Sequence, residues 1–123
     1  MSRVFLFLGA INGFLAVGLG AFGAHGLRQR LDAAMLEVFR TGVDYHAMHA
    51  LALLAVGLML AHMPQSTPLK WAGWAFVLGI VLFSGSLYAL SITGTRGLGI
   101  VTPFGGILFL IGWALLAVSA VRS

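Results

Sequence analysis

The fold is decided by an apolar run without a charged side chain, WAGWAFVLGIVLFSGSLYALSIT, which occupies residues 71–93. A helix of this length crosses a bilayer, because the hydrocarbon core is about 30 Å thick and each helical residue adds about 1.5 Å. Three further stretches of similar length lack charge; they lie between Arg3 and Arg28, Asp44 and Lys70, and Arg96 and Arg122. The sequence therefore predicts an all-α membrane protein with four transmembrane helices, over about residues 4–24, 45–63, 71–93 and 103–121.

The composition agrees with a chain that is mostly solvated by lipid. Hydrophobic residues make up 60% of it, charged residues 8%, and the mean hydropathy is +1.03. The pI near 10.8 does not indicate a nucleic-acid partner, because the seven basic residues lie singly around the ends of the spans, where lipid phosphates are the expected partners. The chain contains no cysteine, which excludes disulfides and thiolate catalysis.

The connections between the spans predict one antiparallel bundle, with residues 1–123 as a single domain. Pro64 and Pro68 flank a short polar turn between the second and third spans. Glycines on both sides of Arg96 form a second turn, and Thr102 and Pro103 are suited to begin the last helix. The first apolar run follows Arg3 as in a signal peptide, but it is longer than the usual core of about 7–15 residues, so we interpret it as a retained span.

The longest connection predicts a short amphipathic helix over about residues 31–42. Apolar residues including Leu31, Met35 and Phe39 share one side of a helical wheel, whereas Glu37 and Arg40 lie elsewhere. This helix either lies at the water–lipid interface, folds over the end of the bundle, or continues into the second span.

Glycine indicates close helix packing, because many of the 17 glycines lie inside the spans. Gly9, Gly13 and Gly20 belong to a row of small residues on the first helix, and Gly105 and Gly106 lie near the start of the fourth. Such residues allow backbones to approach closely, either within one bundle or between two copies.

Histidines and a carboxylate gather toward the end of the bundle that carries the long connection. His25 follows the first span, while Asp44, His46 and His49 open the second. His46 and His49 lie three residues apart on one helical face and could share a metal or pass a proton. His25 could then be a third ligand, with Asp44 a fourth ligand or an acceptor behind the ligands. The alternative is that these imidazoles bond loop carbonyls or lipid headgroups.

A second polar set lies within the spans themselves. Asn12 is in the first helix, and Ser84, Ser86 and Tyr88 are in the third. These groups could line a small polar cavity or bind neighbouring helices together. The spans contain no deeply placed acidic or basic side chain, which counts against a charge-driven pump.

Four blocks of sequence together resemble the domain-of-unknown-function 423 family, which includes small bacterial inner-membrane proteins and the transmembrane protein 256 group of animals. The blocks are GAFGAHGL at residues 20–27, YHAMHAL at 45–51, FSGSLY at 83–88, and TPFGG at 102–106 with the Gly-Trp pair at 112–113. The resemblance covers essentially the entire chain. It implies a multi-pass membrane protein without an established activity, and it supplies no catalytic residue.

The functional expectation is a non-enzymatic packing or accessory component of a membrane, without a cofactor. In a bacterium it would lie in the cytoplasmic (inner) membrane. Its expected partners are membrane lipids and either a second copy or another membrane protein. Two alternatives remain open at this point: a small channel or transporter with a polar path near His25, His49, Ser84 and Tyr88, and a metal-binding protein or enzyme that uses the histidines.

Overall fold

A computed structural model describes residues 1–122, which form five α-helices and no strand. The helices are α1 (Ser2–Phe22), α2 (Ala33–His62), α3 (Thr67–Gly79), α4 (Gly85–Thr93) and α5 (Thr102–Arg122). A π-helical turn, Gly23–Leu27, extends α1, a second one, Ile80–Ser84, joins α3 to α4, and a 3₁₀ turn, Arg96–Ile100, leads into α5. These elements make four continuous helical spans, each long and apolar enough to cross a membrane: Ser2–Leu27, Ala33–His62, Thr67–Thr93 and Arg96–Arg122.

The four predicted spans are confirmed: each predicted range lies inside one of these helices, except that residue 63 falls one position beyond the second. The helices themselves are longer than the predicted ranges. The helices on either side of the turns also begin and end as the residue types predict. The Ser66 hydroxyl accepts a hydrogen bond from the backbone N–H of Leu69 at the start of α3 (3.4 Å). Gly94 ends α4 with a φ of 73°, a left-handed conformation that costs little only for glycine.

The helix expected over about residues 31–42 is not a separate interfacial element: of the alternatives left open, it continues into the second span and forms the first turns of α2. Asp32 caps the helix by accepting a hydrogen bond from the N–H of Met35 (2.8 Å), and no break follows before His62. The helix passes through Gly42, which is buried against α4 instead of ending a helix. With 30 residues, α2 is about 45 Å long and extends beyond a hydrocarbon core of about 30 Å.

The π-helical turn Ile80–Ser84 interrupts the third span without breaking it. The backbone N–H of Gly85 donates to the carbonyl of Ile80, five residues earlier, so this turn contains one residue more than an α-helical turn would. Ser84, the last residue of the turn, is completely buried.

The core lies between α2 and the third span, with α1 and α5 on the outside. In the most apolar stretches of the two inner spans 44% of residues are buried, against 17% for the first span and 22% for the last. The central cluster contains Phe5, Leu53, Val56, Phe76 and Phe109, all almost fully buried. Most of the surface of α1 and α5 therefore faces outward, where lipid or another protein would contact it.

Glycines set the distance between α1 and α2, although not all of those named above take part. A Cβ built on Gly9 would lie 2.9 Å from the backbone nitrogen of Leu54, and one on Gly20 would lie 3.3 Å from Val43. Gly13, by contrast, has nothing within 4 Å of the equivalent position. The expected row of small residues thus packs inside the bundle at Gly9 and Gly20, and is open at Gly13.

The two glycines at the start of α5 differ in the same way. A Cβ on Gly105 would lie 2.8 Å from the Cα of Phe83, closer than real Cβ contacts allow. On Gly106 it would only reach the Phe83 ring, at 3.8 Å. Gly105 is therefore the residue that brings α5 against the π-helical turn.

Candidate functional site

A chain of hydrogen bonds joins three spans through His46. Its Nδ1 lies 2.9 Å from the hydroxyl of Tyr88 on α4, and its Nε2 lies 2.8 Å from Oδ1 of Asn12 on α1. The amide nitrogen of Asn12 donates to the carbonyl of Leu8 (2.7 Å). His46 is 4% exposed, and Asn12 and Tyr88 at the two ends of the chain are partly buried.

The partners determine where the protons of this chain lie. The Asn12 amide nitrogen must donate to Leu8, which leaves its carbonyl oxygen as the group that faces His46. His46 Nε2 then carries the hydrogen, and Nδ1 accepts from the Tyr88 hydroxyl. Neutral His46 is therefore the Nε2–H tautomer, and its hydrogen bonds run in one direction from α4 to α1.

His49 has the opposite tautomer. Its Nδ1 donates to the backbone carbonyl of Tyr45 (2.7 Å), and its Nε2 accepts from the indole N–H of Trp113 on α5 (3.0 Å). The imidazole also stacks on the ring of Phe109, with centroids 3.6 Å apart and planes 7° from parallel. The Nδ1 bond stays within α2, whereas the Nε2 bond and the ring stack hold α5 against α2. Both ring nitrogens are used, so no lone pair is left for a metal ion.

The two histidines share a helical face but point toward different neighbours. His46 contacts α1 and α4, whereas His49 contacts α5. Among residues 1–122, no three His, Asp or Glu side chains are grouped so that they could hold a metal ion. The spacing of three residues therefore does not produce a shared ligand site in this structure.

His25 and Asp44, the other two members of the expected cluster, are both exposed and take no part in the hydrogen bonds of His46 and His49. His25 is in the π-helical turn that extends α1. Asp44 lines a cleft of about 260 Å³ between the ends of α1 and α2, together with Arg40 and Gly20. Neither side chain forms a hydrogen bond with His46 or His49.

The hydroxyls of the third span connect helices instead of lining an open cavity. Ser84 donates to the carbonyl of Gly42 on α2 (2.7 Å). Ser86 donates to the carbonyl of Phe83 and contacts the Thr102 hydroxyl at the start of α5. Each of these two hydroxyls contributes to a contact between helices. Of the two interpretations offered by the sequence, this is the binding of neighbouring helices.

Sequence reasoning missed two partners that complete the site. Trp113, which the sequence brings forward only as part of the Gly-Trp pair at 112–113, donates its indole N–H to His49. Thr102 was expected only to cap α5, but its hydroxyl pairs with Ser86. The available signal was the aromatic and hydroxyl content of the last span; nothing in a single sequence pairs residues that lie 64 positions apart.

This bundle, with its apolar exterior and its internally bonded polar groups, defines a small multi-pass integral membrane protein. The chain belongs to the DUF423 family, described as proteins of unknown function, whose family model matches residues 19–106.

Relatives extend over nearly the whole chain. The UPF0382 membrane protein YwdK of Bacillus subtilis is 50% identical over 120 residues, which cover 98% of each chain. A UPF0382 membrane protein of Staphylococcus saprophyticus is 45% identical over 120 residues, again 98% of each chain. The UPF0382 inner membrane protein YgdD of Escherichia coli is 44% identical over 124 residues, 98% of this chain and 92% of the relative. No solved structure matches the chain.

These relatives confirm the resemblance drawn from the four sequence blocks. They are named as membrane or inner membrane proteins, which confirms the predicted membrane location, and their names state no activity. What the protein does must therefore be inferred from its own residues.

Proposed function

We propose that this protein is a non-enzymatic packing or accessory component of the membrane, which acts through the outward faces of α1 and α5. The observation that carries the proposal is the complete hydrogen bonding of the buried polar side chains. Within residues 1–122, every buried side-chain nitrogen and oxygen has a hydrogen-bond partner inside the protein. A site prepared for a substrate or an ion usually leaves polar groups directed at an empty position.

The outer faces support the same proposal. Val17 on α1 is 75% exposed and Leu110 on α5 is 71% exposed, and neither helix has a neighbour on its outer side. Gly13 lies on α1 with nothing within 4 Å of its Cβ position, so a helix from another chain could approach closely there. This chemistry suits an apolar membrane helix as the partner, from a second copy or from another protein.

A channel or transporter along the polar residues is the weaker candidate. The chain from Tyr88 through His46 ends at the Asn12 amide, whose nitrogen is already bonded to the Leu8 carbonyl. An amide held in this way passes a proton poorly, because neutral amide nitrogen has no lone pair to accept one. His49 is separated from this chain by its own partners on α2 and α5.

Site-specific photo-crosslinking in cell membranes tests the proposal. A benzophenone amino acid at position 17 or 110 should give a discrete protein adduct, whereas one at the completely buried Leu53 should give only attachment within the chain. An adduct of twice the chain mass indicates self-association, and any other discrete mass indicates a different partner. Lipid adducts alone at both outer positions would contradict the proposal.

Two further measurements separate binding from folding and from transport. Gly13→Leu should reduce the adduct at position 17 by about tenfold or more without lowering stability, because nothing in the monomer occupies that space. Gly9→Leu is the matched variant that should unfold the bundle, since its side chain meets the Leu54 backbone. Solute flux in proteoliposomes is compared with the rate in empty vesicles. A higher flux that His46→Leu abolishes would favour the channel and contradict the accessory function.

A further inference from the structure

A cavity lies at the end of the bundle opposite the long connection, between the turn that joins α2 to α3 and the C-terminal part of α5. Its volume is about 550 Å³. Its outer part is polar, with Gln65 and Ser66 from the turn and Arg122 from α5, whereas Met63 and Leu115 form apolar walls. None of the histidines or hydroxyls of the central network lines it.

The cavity extends from the C-terminal end of α5 toward the middle of the bundle. Arg122 is the last residue of α5, and Leu115 lies seven residues earlier, which places it about 10 Å deeper along the helix. Trp71, which also lines the cavity, is 62% exposed near the start of the third span, a depth where indole rings favour the membrane interface. Arg122 and Gln65 therefore lie at the outer end of the cavity and Leu115 at its inner end, in the order of the headgroup and acyl chain of a phospholipid. The Ser119 hydroxyl between them is bonded to the Leu115 carbonyl.

The charge of the lining favours an anion. Among residues 1–122, Arg122 is the only charged side chain that lines the cavity, and no Asp or Glu lines it. A guanidinium can donate two parallel hydrogen bonds to a phosphate, and the amide of Gln65 supplies further donors. The start of α3 adds little to this attraction, because Pro68 has no N–H and the N–H groups of Leu69 and Lys70 are bonded to Ser66.

We propose that this cavity binds an anionic phospholipid, with the headgroup phosphate on Arg122 and part of an acyl chain between Trp71 and Leu115. The site is separate from the outer faces of α1 and α5 that the proposed function uses. Bound lipid would hold the turn at residues 63–66 to the end of α5. The anionic headgroup is preferred to a zwitterionic one because the lining contains no carboxylate to accept an ammonium group.

Native mass spectrometry of the full chain, released from mild detergent with defined lipids, tests this assignment. Phosphatidylglycerol should bind more tightly than phosphatidylethanolamine with the same acyl chains. Arg122→Gln should weaken phosphatidylglycerol binding by about three- to tenfold, the range for a charge-assisted hydrogen bond at an exposed site. Lys70→Gln is the matched control, because Lys70 is a cation at the same end of the bundle but does not line the cavity.

Each outcome decides the proposal. Loss of binding in Arg122→Gln alone supports the site, whereas equal loss in Lys70→Gln shows only diffuse attraction to the surface and overturns it. Equal binding of the two lipids overturns the anionic preference. Competition by inorganic phosphate at millimolar concentration would show that the acyl chain contributes nothing, and would also overturn a lipid site. Circular dichroism of both variants verifies that the helices are intact.

Discussion

Gly105 offers a sharp test of how α5 packs against the third span. Replacing it with Ala places a Cβ 2.8 Å from the Cα of Phe83, and backbone atoms cannot rotate away as a side chain could. Overpacking of this kind costs about 1–3 kcal/mol, and we expect the upper end because the obstacle is backbone. Removing a helical glycine returns about 1 kcal/mol through helix propensity. The net expectation for Gly105→Ala is a loss of about 2 kcal/mol in the free energy of unfolding.

Gly106→Ala is the matched control. It gains the same helix propensity, and its Cβ meets only the ring of Phe83 at an ordinary distance of 3.8 Å. Its free energy of unfolding should therefore stay unchanged or rise by up to about 1 kcal/mol. The assay is SDS titration of the protein in mild detergent, followed by far-ultraviolet circular dichroism. If the two variants shift together by the same amount, the close approach of α5 to Phe83 is wrong.

The polar network gives three further predictions, measured by the same titration or by ¹⁵N NMR. Tyr88→Phe removes the donor to His46 Nδ1 and should lower the free energy of unfolding by about 1 kcal/mol. Tyr45→Phe is the control and should cost less, because the Tyr45 hydroxyl has no hydrogen bond within residues 1–122. Equal losses in the two variants would refute the bond. Ser84→Ala should also cost about 1 kcal/mol through the lost bond to α2, and an unchanged midpoint would contradict it. The ¹⁵N spectrum should show His46 protonated on Nε2 and His49 on Nδ1; the same tautomer in both would refute the assigned partners.

The sequence was sufficient for the spans and turns because these depend on local chemistry. Charge-free runs long enough to cross a bilayer identify the helices, and Pro64, Pro68 and Gly94 identify the places where they end. The amphipathic segment was correctly predicted to be helical. Its continuity with the second span was left open, because Gly42 is equally compatible with a helix end and with a close contact between helices.

The site was only partly predictable because it depends on how the helices are rotated about their axes. The spacing of His46 and His49 fixes their common face but not the neighbours that this face meets. Asn12, Tyr88 and Trp113 come from three different helices, and their pairing with the histidines follows from packing. Gly13 and Gly105 are likewise both glycines, but the Cβ position is open at Gly13 and lies against the Phe83 backbone at Gly105. A periodic pattern identifies candidate residues, and tertiary contacts select among them.

The π-helical turn Ile80–Ser84 is the place in the third span where a change of length by one residue disturbs the bundle least. It holds one residue more than an α-helical turn, so the loss of a single residue here would restore a regular helix and leave the Tyr88 hydroxyl near His46. The same loss in a regular helix such as α2 would rotate the residues after it by about 100° and separate them from their partners. During evolution this turn can therefore change in length where the regular helices cannot. The turn at residues 63–66 lies between helices, so an insertion there need not rotate either neighbour.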